Sequence, residues 1–178
     1  MKEGQFQDRL CEILRKGLPN TYNVEMRKSI LYKVIVDSYG KYDPVEPANP
    51  KRGQLAFQTD ILISNNKVPL VVIETKIGGF STHDVLTYSA KAIKHKEVYP
   101  YLRYGFIVWG KNKIDRKFFV HNSGFDFAVA IESDSDLENL VEIVRKQIKC
   151  AEVMLKILSG KEVRRYITVI EPEWASKN

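Results

Sequence analysis

The chain has 178 residues, 44% of them hydrophobic and 28% charged, with a net charge of +6 and a pI near 9.2. That length fits one domain spanning 1–178, large enough to bury a core without disulfide or metal staples, and the composition excludes a disordered or fibrous chain. No apolar run approaches the roughly 20 residues of a membrane span, so no membrane partner is expected.

The opening MKEGQFQDRLCEIL carries acids where a secretory signal would hold its apolar stretch, which makes the cytoplasm the expected location. Phe6, Leu10, Ile13 and Leu14 recur at helical spacing, and Gly17 with Pro19 ends the element, predicting a helix near 4–16. Residues 22–37 fit two readings. Met26, Ile30 and Val34 suit a helical period, while the β-branched run ILYKVIV favours strands. DPVEPANPKRG at 43–53 is a loop. LAFQTDILIS (55–64) and VPLVVIET (68–75) predict an antiparallel strand pair. After Gly78 and Gly79, Ser81 with Asp84 forms a relative of the capping box. It opens a helix to about 96 whose apolar stripe is Leu86, Ala90 and Ile93. RYGFIVWG (103–110), KFFVHN (117–122) and FDFAVAIE (125–132) predict further strands. Ser135 with Glu138 then opens a long amphipathic helix ending at Gly160. Helices alternating with strands predict an α/β fold, a mixed central β-sheet flanked by helices. Cys11 and Cys150 fall in separate helices without metal-ligand spacing and are expected as reduced core thiols, and His83, His95 and His121 show no zinc pattern.

Charge is concentrated. Between Lys91 and Lys117 stand Lys91, Lys94, Lys96, Arg103, Lys111, Lys113, Arg116 and Lys117 against only Glu97 and Asp115, a pattern suited to a polyanion or to a plain solvated surface.

The stretch VVIETKIGG (71–79) places Glu74 and Lys76 at the end of the most apolar strand, where ionised groups are costly unless compensated. Side chains alternate along a strand, so Glu74 and Lys76 share one face. If Asp60 lies opposite Glu74, Leu62 faces Val72 and the loop runs from Asn65 to Pro69, keeping proline out of the ladder. The two carboxylates then sit roughly 5 Å apart at Cβ and repel each other unless a cation intervenes. The plainer reading is a Glu74–Lys76 ion pair at the sheet rim with Asp60 capping a turn.

An acid in FQTD, Glu-x-Lys closing the next strand, a helix after a glycine pair and a strand after that helix together resemble the PD-(D/E)XK nuclease superfamily. The resemblance covers about residues 1–110. It implies a restriction-endonuclease-like αβββαβ core, to which extra C-terminal strands and a long C-terminal helix are added here. Thr59 stands where the family carries proline, a position that supplies no ligand. What the resemblance implies is a Mg²⁺-dependent endonuclease acting on DNA, with Asp60, Glu74 and Lys76 catalytic. Asp60, Glu74 and the Thr75 carbonyl would hold the metal, with Mn²⁺ able to substitute, and Lys76 would carry a lowered pKa where the metal and burial favour its neutral form. RNA or branched DNA as substrate, and a catalytically silent binding module, are the alternatives. A homodimer or a separate recognition subunit is a plausible partner.

Many members of that superfamily add an acid from the first helix. With Phe6 at 0° and ~100° per residue, the apolar face centres near about 25°, with Glu3 at about 60° and Glu12 at about 240°, so Glu3 is the better placed. On the helix after Glu-x-Lys, Asp84, Tyr88, Lys91 and His95 share a face opposite the apolar stripe. Lys91 and His95 are expected to contact phosphate and Tyr88 to orient Lys76. Lys51 and Arg52 in the proline-rich loop are expected to contact nucleic acid as well.

Overall fold

The computed structural model describes residues 2–46, 48–51 and 53–175; the expected nucleic-acid contact Arg52 lies outside them. Helix α1 (Glu3–Gly17) leads into short strands β1 (Asn23–Met26), β2 (Ser29–Leu31), β3 (Ile35–Val36) and β4 (Tyr42–Asp43). There follow β5 (Ala56–Gln58), β6 (Ile61–Asn65), β7 (Val68–Ile77), α2 (Thr82–Val98), β8 (Arg103–Trp109), α3 (Arg116–His121), β9 (Phe127–Ile131) and α4 (Ser135–Leu158). The main sheet runs β1-β6-β7-β8-β9. Its first two pairings are antiparallel and its last two parallel, so it is a mixed sheet. Helices cover both faces. Phe6, Leu10 and Leu14 of α1 and Leu140, Val144 and Ile148 of α4 bury one face with Ile61, Val71 and Ile73. Val85 and Ala92 of α2 and Phe118 of α3 bury the other with Leu62, Val72 and Phe106. Burial on both faces is why VPLVVI is continuously apolar.

The single strand expected at 55–64 is two. It breaks at Thr59–Asp60, where β5 leaves to pair with β2 while β6 joins the main sheet. The Thr59 N–H donates to the Lys28 carbonyl and the Arg27 N–H donates to the Asp60 carbonyl, so the break is pinned from the β1–β2 link. The expected register holds at the site end, with Leu62 opposite Val72. It fails at the turn. Ser64 pairs Pro69 and Asn65 pairs Val68, leaving Leu70 as an extra residue, and the loop is only Asn66 and Lys67, both at positive φ (46° and 67°). That is the backbone of a type I′ hairpin turn, and the bulge absorbs the one-residue slip that admits proline to the ladder.

KFFVHN is helical, not extended. β8 and β9 are parallel neighbours, so the link between them must carry the chain back to the other end of the sheet, which a hairpin strand cannot do. Only Phe118 is buried, stacked on Phe106 with centroids 5.8 Å apart, while Phe119 and Val120 face out. The C-terminal strands expected beyond 110 therefore reduce to β9. Cys11 is buried as expected, whereas Cys150 faces solvent.

Helix α2 starts as its capping box predicts, the Ser81 hydroxyl accepting from the Asp84 N–H at 3.1 Å. Its burial is rotated from the expected stripe, with Leu86 and Ile93 at 50% and 38% exposure, and Val85, Ser89, Ala92 and His95 buried. The cause is contact geometry. A Cβ on Gly124 would stand 2.5 Å from the Ser89 carbonyl and 2.8 Å from Ala92 Cβ, so only small residues fit where that loop crosses the helix.

Gly105 of β8 is similarly confined, its missing Cβ falling 2.1 Å from Cζ of Phe127. Gly105→Ala is expected to cost about 1–3 kcal/mol by overpacking. Urea unfolding would show a lower midpoint at unchanged m.

Candidate functional site

Strands β6 and β7 separate beyond the Ile61–Ile73 pair, and in that gap Asp60 meets the end of β7. Asp60 Oδ2 accepts from the Thr75 N–H at 2.8 Å and from the Thr75 hydroxyl at 2.9 Å. The Thr75 hydroxyl in turn accepts from Gln7 Nε2 at 3.0 Å, a buried contact that ties α1 to the site. Asp60 thus takes the ladder position a partner carbonyl would otherwise fill.

Glu74, on the opposite face of β7, is 1% exposed. Its Oε1 accepts from Lys91 Nζ at 2.6 Å and from the Tyr104 hydroxyl at 2.8 Å. Burial pushes its carboxyl up to about 7, the Lys91 ammonium pulling it down and the Asp60 charge raising it further. Tyr104 is pushed well above the usual phenol range, by burial first and then by Glu74, and so stays a neutral donor.

The Glu74–Lys76 ion pair does not form. Lys76 Nζ lies 3.1 Å from Asp84 Oδ1 and 5.3 Å from the centre of the Tyr88 ring, so Tyr88 stands beside it. Burial pulls the Lys76 ammonium down, but the hydrogen bond to Asp84 and the Tyr88 contacts outweigh it. Without a metal its pKa is therefore raised; the lowering was expected where a metal and burial favour the neutral form. Two lysines flank the acids, one locked on Glu74 and one tethered to a carboxylate on the next helix.

Several expected contacts move. Lys91 faces inward on Glu74 and the Gln58 carbonyl, away from any phosphate in solvent. His95 is fully buried between the Phe57 and Tyr104 rings, and burial followed by the Lys91 charge lowers its pKa to about 3, so it is neutral and shielded from nucleic acid. Lys51 is exposed in its loop. Glu3 is exposed, and Glu12 is exposed and paired with Lys16. Gln7 is the α1 side chain that reaches the site. It left no distinct signal beyond its place beside Phe6 on the apolar side, whereas Tyr104 was visible as a lone hydroxyl inside an apolar strand.

The basic segment is largely self-neutralised. Lys91, Lys94, Lys96, Arg103 and Lys117 pair with Glu74, Glu97, Asp126 or Asp115. Lys111, Lys113 and Arg116, on the loop after β8 and the start of α3, have no ion-pair partner among the described residues. Lys111 Cε lies 3.6 Å from where a Cβ on Gly79 would stand, just beyond the Lys76 end of β7.

The donor set suits a small hard cation. Among the described residues no three His, Cys, Asp or Glu side chains converge. Asp60 is near enough for its charge to raise the Glu74 carboxyl, and neither Asp60 Oδ1 nor Glu74 Oε2 has a hydrogen-bond partner among those residues. Two carboxylate oxygens and a carbonyl, with water for the rest, are what Mg²⁺ accepts.

Neither protein-family models, nor curated proteins, nor solved structures include a match to this chain. No helix among the described residues is long and apolar enough to cross a membrane.

Proposed function

We propose that the chain is a metal-dependent endonuclease of the restriction-endonuclease-like kind, hydrolysing phosphodiester bonds in DNA. The observation that carries the reading is that Asp60, where β6 and β7 part, and Glu74, which feels its charge, each keep one unengaged oxygen, with Lys91 on Glu74 and Lys76 on the neighbouring Asp84. The order α1, β1, β6, β7, α2, β8 supports the αβββαβ core. In this reading Asp60, Glu74 and the Thr75 carbonyl hold Mg²⁺, which when bound supplies an acidified water and charge stabilisation at the scissile phosphate. Thr75 and Gln7 fix the Asp60 carboxylate, and Tyr104 and Lys91 keep Glu74 oriented. Lys76, the more exposed of the two lysines, meets the phosphate and its attacking water. Lys111, Lys113 and Arg116 hold the flanking backbone.

The carboxylates need the metal, since alone they repel phosphate. One observation favours a catalytically silent binding module instead: Lys91 already neutralises Glu74. Supercoiled plasmid, single-stranded DNA and RNA incubated with Mg²⁺ or chelator separate the two. Metal-dependent cuts support the nuclease. Salt-sensitive binding without cleavage supports the module.

The loop cations give a separate expectation. Lys111→Ala, Lys113→Ala and Arg116→Ala are each expected to weaken DNA binding uniformly across sequences, and to flatten the slope of log K against log salt by about 1 per residue removed. Filter binding over a salt series reads this directly.

A further inference from the structure

Beside the β1–β6 edge lies a groove of about 830 Å³ that none of the site residues lines. Val24 and Leu62 are among its lining, as are Tyr99 and Tyr101 from the segment joining α2 to β8. Their rings are 6.3 Å apart and 75° to one another, and both residues are half-buried. The Tyr99 hydroxyl accepts from the Leu31 N–H at 3.4 Å, which helps hold that ring in place. Asn20, Asn23 and Asn49 bring amides that both donate and accept. The charged lining is Arg15, Lys28 and Lys67 against Glu25. Arg15 is occupied by the Val24 carbonyl and Lys28 is shared between Glu25 and Asn49. Lys67, raised on the hairpin turn, has no ion-pair partner among the described residues.

Tyrosine faces, amides and cations without a matching number of acids are the chemistry that recognises unpaired bases on a phosphate chain. Stacked duplex bases cannot lie on a protein ring, whereas single-stranded ones can. The groove also has a direction. Its rim at Lys28 is bonded to the strand break that carries Asp60, through the Thr59 N–H and hydroxyl on the Lys28 carbonyl, both at 2.9 Å. From there β6 runs five residues to the turn at Lys67, a path of roughly 17 Å at 3.3–3.4 Å per residue.

We propose that this groove binds single-stranded nucleic acid, bases stacked on Tyr99 and Tyr101 and phosphates on Lys28 and Lys67, so that the strand reaching the carboxylate site is an unpaired one. The substrate assignment rests on the nuclease reading; the binding itself does not.

The test is fluorescence anisotropy with labelled oligothymidylate, oligouridylate and a DNA duplex in chelator, using the full chain, with cleavage in Mg²⁺ followed separately. Tyr101→Ala is expected to weaken single-strand binding about tenfold or more, and Tyr101→Phe to leave it unchanged because the ring remains. Tyr101 also packs against the core, so Lys67→Asn, which suits the positive-φ turn and removes only the charge, is the second variant. It is expected to weaken single-strand binding and flatten its salt slope by about 0.7. Duplex binding stays unchanged in all three. Oligothymidylate bound more tightly than oligouridylate assigns the groove to DNA, and the reverse to RNA. Wild-type single-strand binding by both Tyr101→Ala and Lys67→Asn, or a duplex bound better than either oligomer, overturns the proposal. Groove-dependent binding without Mg²⁺ cleavage would retain the groove and remove the nuclease, whereas cleavage indifferent to these variants would retain the nuclease and overturn the groove's role in presenting its substrate.

Discussion

Asp60→Asn is expected to remove Mg²⁺-dependent cleavage, lowering its rate at least roughly 10³-fold, while leaving the fold intact. The asymmetry follows from how Asp60 is held. One oxygen accepts from the Thr75 N–H and hydroxyl, and an asparagine carbonyl can accept both. The other oxygen has no partner among the described residues, and there asparagine places an NH₂ that cannot ligate a cation. Lys76→Ala is expected to cost roughly 10²–10⁴-fold as well, through loss of the group proposed to face the attacking water. It would leave Asp84 with its Ser81 cap, so the start of α2 is retained. Circular dichroism and a plasmid nicking assay, run on the same preparations, read the two effects separately. Full metal-dependent cleavage by folded Asp60→Asn would remove the proposed site.

The sheet was legible in the sequence because its strands are buried on both faces and therefore apolar throughout. The register was legible at the site end because face alternation fixes it there, and it was misread at the turn. Keeping Pro69 out of the ladder looked cheaper than a bulge, but the bulge at Leu70 lets Asn66 and Lys67 make a two-residue turn. The acids and the first lysine stood out as charge in an apolar context. Lys91 and His95 were singled out but placed on the outward face, because α2 was read by its aliphatic residues. Leu86 and Ile93 face out and the polar side of the helix faces in, where Glu74 needs a cation and Gly124 needs small neighbours. A periodicity argument assumes that the apolar face is the buried one, and a helix that lines a charged site breaks that assumption.

The inward turn of α2 gives Glu74 a measurable pH signature in the metal-free protein. Its carboxyl is raised from 4.5 to about 7, chiefly by burial, so between those values the folded chain binds more protons than the unfolded one. The contribution is therefore complete below pH about 4.5 and is lost as pH rises through about 7, amounting to about 3 kcal/mol at 1.36 kcal/mol per pKa unit. In chelator, the unfolding free energy of the wild type is expected to fall by about that amount relative to Glu74→Gln from pH 4 to pH 9. Lys91→Met sharpens the profile. With the ammonium gone, nothing offsets burial except Tyr104, so Glu74 takes up its proton at still higher pH. The variant is then little destabilised at pH 6 and progressively more so toward pH 9. Mg²⁺ at the proposed site is expected to act in the opposite sense, because a cation there would bind the ionised carboxylate of the folded chain and stabilise it by RT ln(1 + [Mg²⁺]/Kd), most strongly above pH 7. Urea unfolding across this pH range, with chelator and with Mg²⁺, measures all three curves. Parallel pH profiles for wild type and Glu74→Gln would mean that folding leaves the Glu74 pKa unshifted and that the Lys91 pair fully offsets its burial.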